Sequence, residues 1–217
     1  MSRLLPLFYF SVLYGAFLAG MLYLRAQDVA DHAAAQTFPR ATVLLLLAIG
    51  VPTTLQFFFA PILPLFERDA QRFLDGEWWR LITPLFVQDG GIGGSIFNLV
   101  NLFFVGLIGE RLWGSWRCVA IFFVCGILSE AVALNWQPIG AGNSIANFGL
   151  AASVAIVALI STRQRLVQLA AGGALACGLV LVLLRDIHGA ATILGVIVGM
   201  VLLLINGGNV LKTHTSA

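Results

Sequence analysis

Charge is what this sequence has least of. Only 10% of the 217 residues are Asp, Glu, Lys or Arg, whereas 59% are hydrophobic. An average soluble domain carries about 25% charged residues. This scarcity argues against a soluble globular protein. The net charge is +2 and no basic cluster is dense, so nucleic acid is not expected as a partner.

Two further absences, of a cysteine spacing pattern and of a clear signal cleavage site, narrow the class of protein. Cys118, Cys125 and Cys177 lack both metal-ligand spacing and a disulfide framework, so we interpret them as packing residues, with a catalytic cysteine as the alternative. The first apolar run, 4–24, is longer than the hydrophobic part of a secretory signal and is not followed by a clear A-x-A-type site. We therefore predict a membrane helix there.

Long uncharged stretches dominate the rest of the chain. Crossing the hydrocarbon core takes about 20 apolar residues, and the backbone must then be helical or part of a closed barrel. The apolar segments show no alternation of polar and apolar residues, which excludes a barrel. The sequence predicts an all-α, polytopic transmembrane bundle with about seven spans, near 4–24, 41–62, 94–111, 117–134, 144–161, 166–184 and 188–206.

The loops indicate an orientation. The connection 67–93 mixes charges with Trp78 and Trp79, which is typical of a segment at the membrane interface. If the loop 25–40 is cytoplasmic, that side holds seven of the twelve basic residues, as the positive-inside rule favours. The third, fifth and seventh spans then all begin on the extracytoplasmic side.

Three polar residues lie near those beginnings: Asn98, Ser144 and His188. Ionisable groups within membrane segments often mark function, and a serine beside a histidine is the minimal nucleophile-and-base pair for acyl transfer. Each residue also has a structural interpretation. His188 could be an interfacial histidine tied to Asp186 or to water, Ser144 an N-cap, and Asn98 a bridge between helices. No acid that would complete a soluble-protease triad is evident nearby.

In combination these residues resemble the rhomboid intramembrane proteases, over roughly 75–206. The chain has several short segments in the order of the family's motifs. They are Glu77-Trp78-Trp79-Arg80, Gly94-Ser95-Ile96-Phe97-Asn98, Glu110-Arg111-Leu112-Trp113-Gly114, Gly142-Asn143-Ser144 with Phe148-Gly149-Leu150, and His188 with Gly195. A GxxxG pair, Gly195 and Gly199, would let the last helix approach a neighbour closely.

The resemblance implies a site and a division of the chain. Ser144 would be the nucleophile, His188 its base, and Asn98 an oxyanion donor together with the Ser144 backbone N–H. The family uses a Ser–His dyad, so no metal or organic cofactor is expected. We divide the chain into an extra N-terminal transmembrane helix and loop (1–40), a rhomboid-like core (41–206) and a short polar tail (207–217).

Three positions depart from the family pattern: Gly94 replaces the histidine of H-x-x-x-N, and Ile145 and Ala191 replace glycines. The first removes a potential oxyanion donor, and the other two enlarge side chains between helices.

The leading hypothesis is a protease acting on transmembrane proteins near the extracytoplasmic side, in a bacterial-type plasma membrane. The alternatives are a rhomboid-like protein that binds transmembrane segments without cutting them, and a small channel or transporter, which the scarcity of polar residues disfavours. The oligomeric state is left open, and membrane lipid is an expected partner.

Overall fold

A computed structural model describes residues 4–31 and 38–206. The predicted tail, 207–217, and part of the first loop, 32–37, lie outside the described residues. In chain order the elements are α1 (Leu5–Asp31), α2 (Arg40–Leu55), α3 (Ile62–Phe66), β1 (Arg68–Asp69), α4 (Ala70–Leu74), two 3₁₀ turns (Trp78–Leu81 and Thr83–Phe86), α5 (Gly91–Trp113), α6 (Ser115–Trp136), β2 (Ile139–Gly140), α7 (Ser144–Ser161), α8 (Arg165–Leu183) and α9 (Ile187–Ile205).

The predicted helical bundle is confirmed. Within the described residues, six helices are long and apolar enough to cross a membrane: α1, α5, α6, α7, α8 and α9. The seventh apolar helix, α2, has 16 residues, which corresponds to about 24 Å of rise. Lipid leaves each backbone polar group to be satisfied within its own segment, and this is why the uncharged stretches become helices.

Helix α2 ends at Leu55 and not near residue 62 as predicted. Immediately after this end, the side chain of Gln56 is paired with the Gln88 backbone: its amide donates to the carbonyl oxygen at 2.7 Å and its oxygen accepts from the N–H at 2.9 Å. Pro61 follows, and a proline has no N–H to continue a helical ladder. Residues that hydropathy alone assigns to a span therefore belong to the connection that follows it.

Helix α7 is the centre of the bundle. Its apolar window is 72% buried inside the protein, compared with 28–44% for the five other long helices. Small residues make this possible: a Cβ on Gly149 would lie 2.2 Å from the Cβ of Cys125 on α6. Other helices therefore surround α7, and Ser144 is its first residue.

Helix α9 packs directly on the backbone of α7. A Cβ built on Gly195 would lie 2.0 Å from the Gly149 carbonyl oxygen, and one on Gly199 would lie 3.0 Å from the Ser153 Cα. The GxxxG pair therefore faces the helix that carries Ser144. Because α7 and α9 begin at the same end of this contact, Ser144 and His188 come to the same level.

Helix α1 packs against α5, α7 and α8. Gly15 faces Ala174 of α8, with a Cβ position 3.0 Å from the alanine Cβ. A Cβ on Gly20 would fall 2.5 Å from Ile108 Cγ2 of α5 and 2.6 Å from Val154 Cγ1 of α7. The extra N-terminal helix is thus an integral part of the packing around α7.

The connection between α2 and α5 folds over the end of the bundle where α7 begins. Strands β1 and β2 pair antiparallel, with Arg68 opposite Gly140 and Asp69 opposite Ile139. This pairing ties the connection to the segment that immediately precedes α7. Trp78 is 66% exposed and Trp79 39% exposed, which suits the predicted position at a membrane interface.

Candidate active site

Ser144 is the first residue of α7, and glycines shape the chain that leads to it. Gly140 and Gly142 have φ values of +157° and +152°, which L side chains rarely adopt. The Gly142 N–H donates to the Pro84 carbonyl oxygen at 3.0 Å. Ser144 is half-buried, and as the first residue of the helix it has a backbone N–H with no intrahelical acceptor. The serine hydroxyl and potential oxyanion donors are therefore close together.

His188, the second residue of α9, faces Ser144. Its Nε2 lies 2.9 Å from the serine Oγ, which is within hydrogen-bond reach for a nucleophile and base. The imidazole ring contacts the rings of Phe148 and Tyr9, with centroid separations of 4.6 Å and 4.5 Å. The two residues predicted as nucleophile and base thus meet, and contacts on the ring restrict its orientation.

Asp186 contacts the other side of the imidazole, whereas the sequence suggested this residue only as a tie for an interfacial histidine. The Nδ1 of His188 lies 2.6 Å from Asp186 Oδ1, which also accepts the His188 backbone N–H at 2.9 Å. The second oxygen, Oδ2, accepts from the Tyr9 hydroxyl at 2.5 Å. An acidic N-cap two residues before a histidine, at the start of an apolar run, is the signal that was available in the sequence.

The carboxyl of Asp186 is buried yet remains acidic. Burial alone raises the pKa of Asp186, but hydrogen bonds from His188 and Tyr9 outweigh burial and hold this pKa below its ordinary value. The carboxyl is therefore ionised at neutral pH. A negative charge beside Nδ1 stabilises an imidazolium.

Asn98, the predicted oxyanion donor, is half-buried and is hydrogen-bonded to a chain of amides whose other members, Gln88 and Asn143, are buried. Its Nδ2 donates to Gln88 Oε1 at 2.7 Å, and Gln88 Nε2 donates to Asn143 Oδ1 at 2.7 Å. Asn98 Nδ2 and Ser144 Oγ lie 3.5 Å and 3.6 Å from the point where a Cβ on Gly142 would stand. An amide nitrogen has two N–H groups, so one can hold Gln88 while the other serves an oxyanion. Gln88 was not a predicted site residue.

A polar cavity of about 180 Å³ adjoins Ser144 and His188. Arg68 and Glu130 form a buried ion pair in its wall, and the second carboxylate oxygen of Glu130 has no hydrogen-bond partner. Asp89 also lines the cavity and accepts the Ala141 backbone N–H at 2.9 Å. A cavity with this lining can admit water or a small side chain beside the serine.

The three departures from the family pattern have different consequences. A Cβ on Gly94 would meet nothing within 4 Å, so the absent histidine leaves open space. Ile145 and Ala191 are buried, with exposures of 1% and 0%. Both fit between the helices while the Ser144–His188 contact is kept, so the two larger side chains are accommodated in the packing.

The remaining motif residues stabilise the segments around the site. Arg80 is 1% exposed, and it binds Glu77 Oε2 at 2.6 Å and the Glu67 carbonyl oxygen at 2.6 Å. This fixes the connection that lies over the bundle. The neighbouring motif residue, Trp79, packs edge-on against Trp78.

Glu110 and Gly114 join three helices. The Glu110 carboxylate accepts the backbone N–H groups of Ala41 and Thr42 at the start of α2, each at 2.8 Å, and the Ser115 hydroxyl at 2.6 Å. Gly114 connects α5 to α6 with a φ of +80°. The E-x-x-x-G segment therefore acts as a junction away from the serine.

The arrangement defines a polytopic membrane bundle with a serine–histidine pair at the start of two packed helices. A family model described as the Rhomboid domain matches residues 75–208, which is more than half of the chain. The chain therefore belongs to the rhomboid family, and it is an integral, multi-pass membrane protein.

Curated relatives are named as proteases. The chain is 38% identical over 90 residues to the rhomboid protease GluP of Bacillus subtilis (strain 168), covering 41% of this chain and 18% of that protein. It is 31% identical over 74 residues to the rhomboid protease AarA of Providencia stuartii, covering 34% and 26%. The chain thus spans about a quarter or less of the length of these two relatives.

Proposed function

We propose that this protein is an intramembrane serine endopeptidase that cleaves transmembrane proteins near the extracytoplasmic side. The observation that carries the proposal is the 2.9 Å separation between Ser144 Oγ and His188 Nε2. The names of the relatives support a protease. The positive-inside rule supports the side of cleavage, because Ser144 and His188 begin their helices opposite the more basic loops.

The proposed reaction is acyl transfer to serine followed by hydrolysis. Ser144 Oγ attacks the scissile carbonyl carbon while its proton moves to His188 Nε2. Breakdown of the tetrahedral intermediate breaks the C–N bond, and His188 returns that proton to the leaving amine. Water then attacks the acyl-enzyme with the same base, which releases the carboxylate product and restores Ser144.

The developing oxyanion needs hydrogen-bond donors on the far side of the carbonyl. The Ser144 backbone N–H at the start of α7 and an N–H of Asn98 are the candidates. Removing one such donor from a serine protease costs about 100-fold to 1,000-fold in kcat. Gly94 supplies no side-chain donor, so we expect slower turnover than in a relative with histidine at this position.

A second candidate is a family member that binds transmembrane segments without cutting them. Two observations favour it: Gly94 lacks a donor, and Asn98 Nδ2 already donates to Gln88. The Ser144–His188 contact favours the protease, because a protein that only binds has no need of a serine hydroxyl on an imidazole nitrogen.

A fluorophosphonate probe separates the two candidates. We expect purified wild type in detergent or bilayer to be labelled and to cleave a model transmembrane substrate, and Ser144→Ala and His188→Ala to lose both activities. Ser161→Ala is the matched control, because Ser161 is an exposed serine at the other end of α7. Absence of both labelling and cleavage in the wild type would contradict the protease and favour the binding protein.

A further inference from the structure

The turn that joins α8 to α9 places a carboxylate on the histidine. Arg185 has a φ of +54°, an uncommon value for a residue other than glycine, and this reverses the chain within a few residues. Asp186 follows as the N-cap of α9, with Oδ1 on the His188 backbone N–H. The same oxygen is 2.6 Å from Nδ1, so one carboxylate both caps the helix and contacts the imidazole.

This contact selects a tautomer. A neutral imidazole has one N–H and one bare nitrogen, and a carboxylate at Nδ1 favours the proton there. Nε2 is then free to accept the proton of the Ser144 hydroxyl, which is the state that a general base requires. A negative charge at Nδ1 also stabilises the imidazolium formed when that proton arrives.

The second carboxylate oxygen depends on the N-terminal helix. Asp186 is 5% exposed, and leaving a buried acceptor unsatisfied costs free energy. Tyr9 of α1 donates to Oδ2 at 2.5 Å. Its ring packs on the imidazole and stands edge-on to Phe148 at 5.6 Å. Tyr9 therefore contacts both the carboxylate and the base.

We infer that Asp186 is a positioning residue for His188, and that α1 completes the active site by holding Asp186 through Tyr9. The expected Ser–His dyad becomes a chain of four side chains, in the order Ser144, His188, Asp186 and Tyr9. The helix that sequence analysis set outside the rhomboid-like core thereby belongs to the catalytic apparatus. The catalytic part of this inference rests on the proposed function.

Two conservative substitutions separate positioning from folding. Asp186→Asn keeps a good N-cap, removes the charge and replaces one acceptor oxygen with an N–H donor. Tyr9→Phe keeps the ring and removes only the hydroxyl. Tyr14→Phe is the matched control, because Tyr14 lies on the same helix, is 43% exposed and stacks on Phe10. All three proteins are expected to fold, with Tyr14→Phe melting close to the wild type and with Asp186→Asn and Tyr9→Phe melting at lower temperatures because each loses part of a buried hydrogen-bonded pair.

The first measurement is independent of activity. In protein with ¹⁵N-labelled histidine, we expect a His188 proton on Nδ1 with a strongly downfield resonance, assigned by its absence from His188→Ala. The resonance should move upfield in Asp186→Asn and Tyr9→Phe and stay in place in Tyr14→Phe. A wild-type proton on Nε2 instead, or a resonance unchanged by both substitutions, would overturn the inference.

The second measurement is the rate of fluorophosphonate labelling of Ser144. We expect Asp186→Asn to lower this rate by about 100-fold and Tyr9→Phe by about tenfold, with Tyr14→Phe within about twofold of the wild type. If the wild type labels but both variants label equally fast, the inference fails and the protease stands. If the Nδ1 resonance responds but the wild type does not label, the protease fails and the positioning role stands.

Discussion

Helices α9 and α1 both reach the start of α7, but they are held there in different ways. At α9 the contact is between backbones, since a Cβ on Gly195 would stand 2.0 Å from the Gly149 carbonyl oxygen. At α1 the contact is between backbone and side chain, since a Cβ on Gly20 would meet γ-methyl groups of Ile108 and Val154, and Tyr9 reaches Asp186 through its hydroxyl. The first contact fixes the distance between serine and base. The second supplies one hydroxyl to the acid behind the base.

Gly195→Ala breaks the rigid contact and should have the largest effect of the four predictions below. The new methyl group has no space against a carbonyl oxygen, so α9 must move away from α7. We expect labelling of Ser144 to fall by at least about 100-fold, since displacement of about 1 Å has this effect at active sites, and the melting temperature to drop. Gly173→Ala on α8 is the control, because a Cβ there meets nothing within 4 Å. Wild-type labelling by Gly195→Ala would contradict the close contact.

Gly94→His extends the comparison to α5, where the space beside residue 94 is unfilled. Because a Cβ at position 94 has space, the histidine should be accepted without loss of stability. We expect an increase of about tenfold in substrate cleavage if the ring donates to the oxyanion. Gly94→Ala, which adds a Cβ but no donor, should cleave at the wild-type rate. Equal rates for the two variants would show that this position is not used as a donor site.

Acidification tests the carboxylate of Asp186, which both Tyr9 of α1 and His188 of α9 contact. The pKa of Asp186 is lowered in the fold from its ordinary value of 3.8. Its stabilising contribution is therefore fully present above that value and is lost as pH falls through the lower folded value. We expect the wild type to melt at a higher temperature than Asp186→Asn at neutral pH, and this difference to shrink in acid. A difference that is constant with pH would contradict an ionised, bonded carboxylate.

Gly20→Ala disturbs the contact with side chains and should have the smallest effect. The γ-methyl groups of Ile108 and Val154 must shift to admit the new Cβ, and overpacking of this kind costs about 1–3 kcal/mol. We expect a slightly lower melting temperature and labelling reduced only a few-fold through Tyr9. Gly50→Ala on α2 is the control, since its Cβ has no neighbour within 4 Å. A loss as great as that of Gly195→Ala would remove the distinction between the two contacts.

Hydropathy predicted the membrane helices, because backbone N–H and C=O groups in lipid must be hydrogen-bonded within the segment. The order of the motifs predicted which polar residues come close to one another. The end of α2 was predicted too late because hydropathy continues past Leu55, whereas Gln56 is already paired with Gln88, which is distant in sequence. Asp186 was considered only as a tie for an interfacial histidine, because nothing local shows that its second oxygen meets Tyr9. That contact joins residues 177 positions apart, which periodicity cannot reveal.

The roles of Ser144, His188 and Asn98 remain predictions, and the covalent position of a serine-directed probe tests them most directly. Purified wild type and His188→Ala are treated with fluorophosphonate, digested and mapped by mass spectrometry. The Ser144–His188 pair predicts that the adduct lies on Ser144 in the wild type and that its formation is lost with His188. An adduct on another residue, or one on Ser144 that forms equally fast without His188, would contradict it.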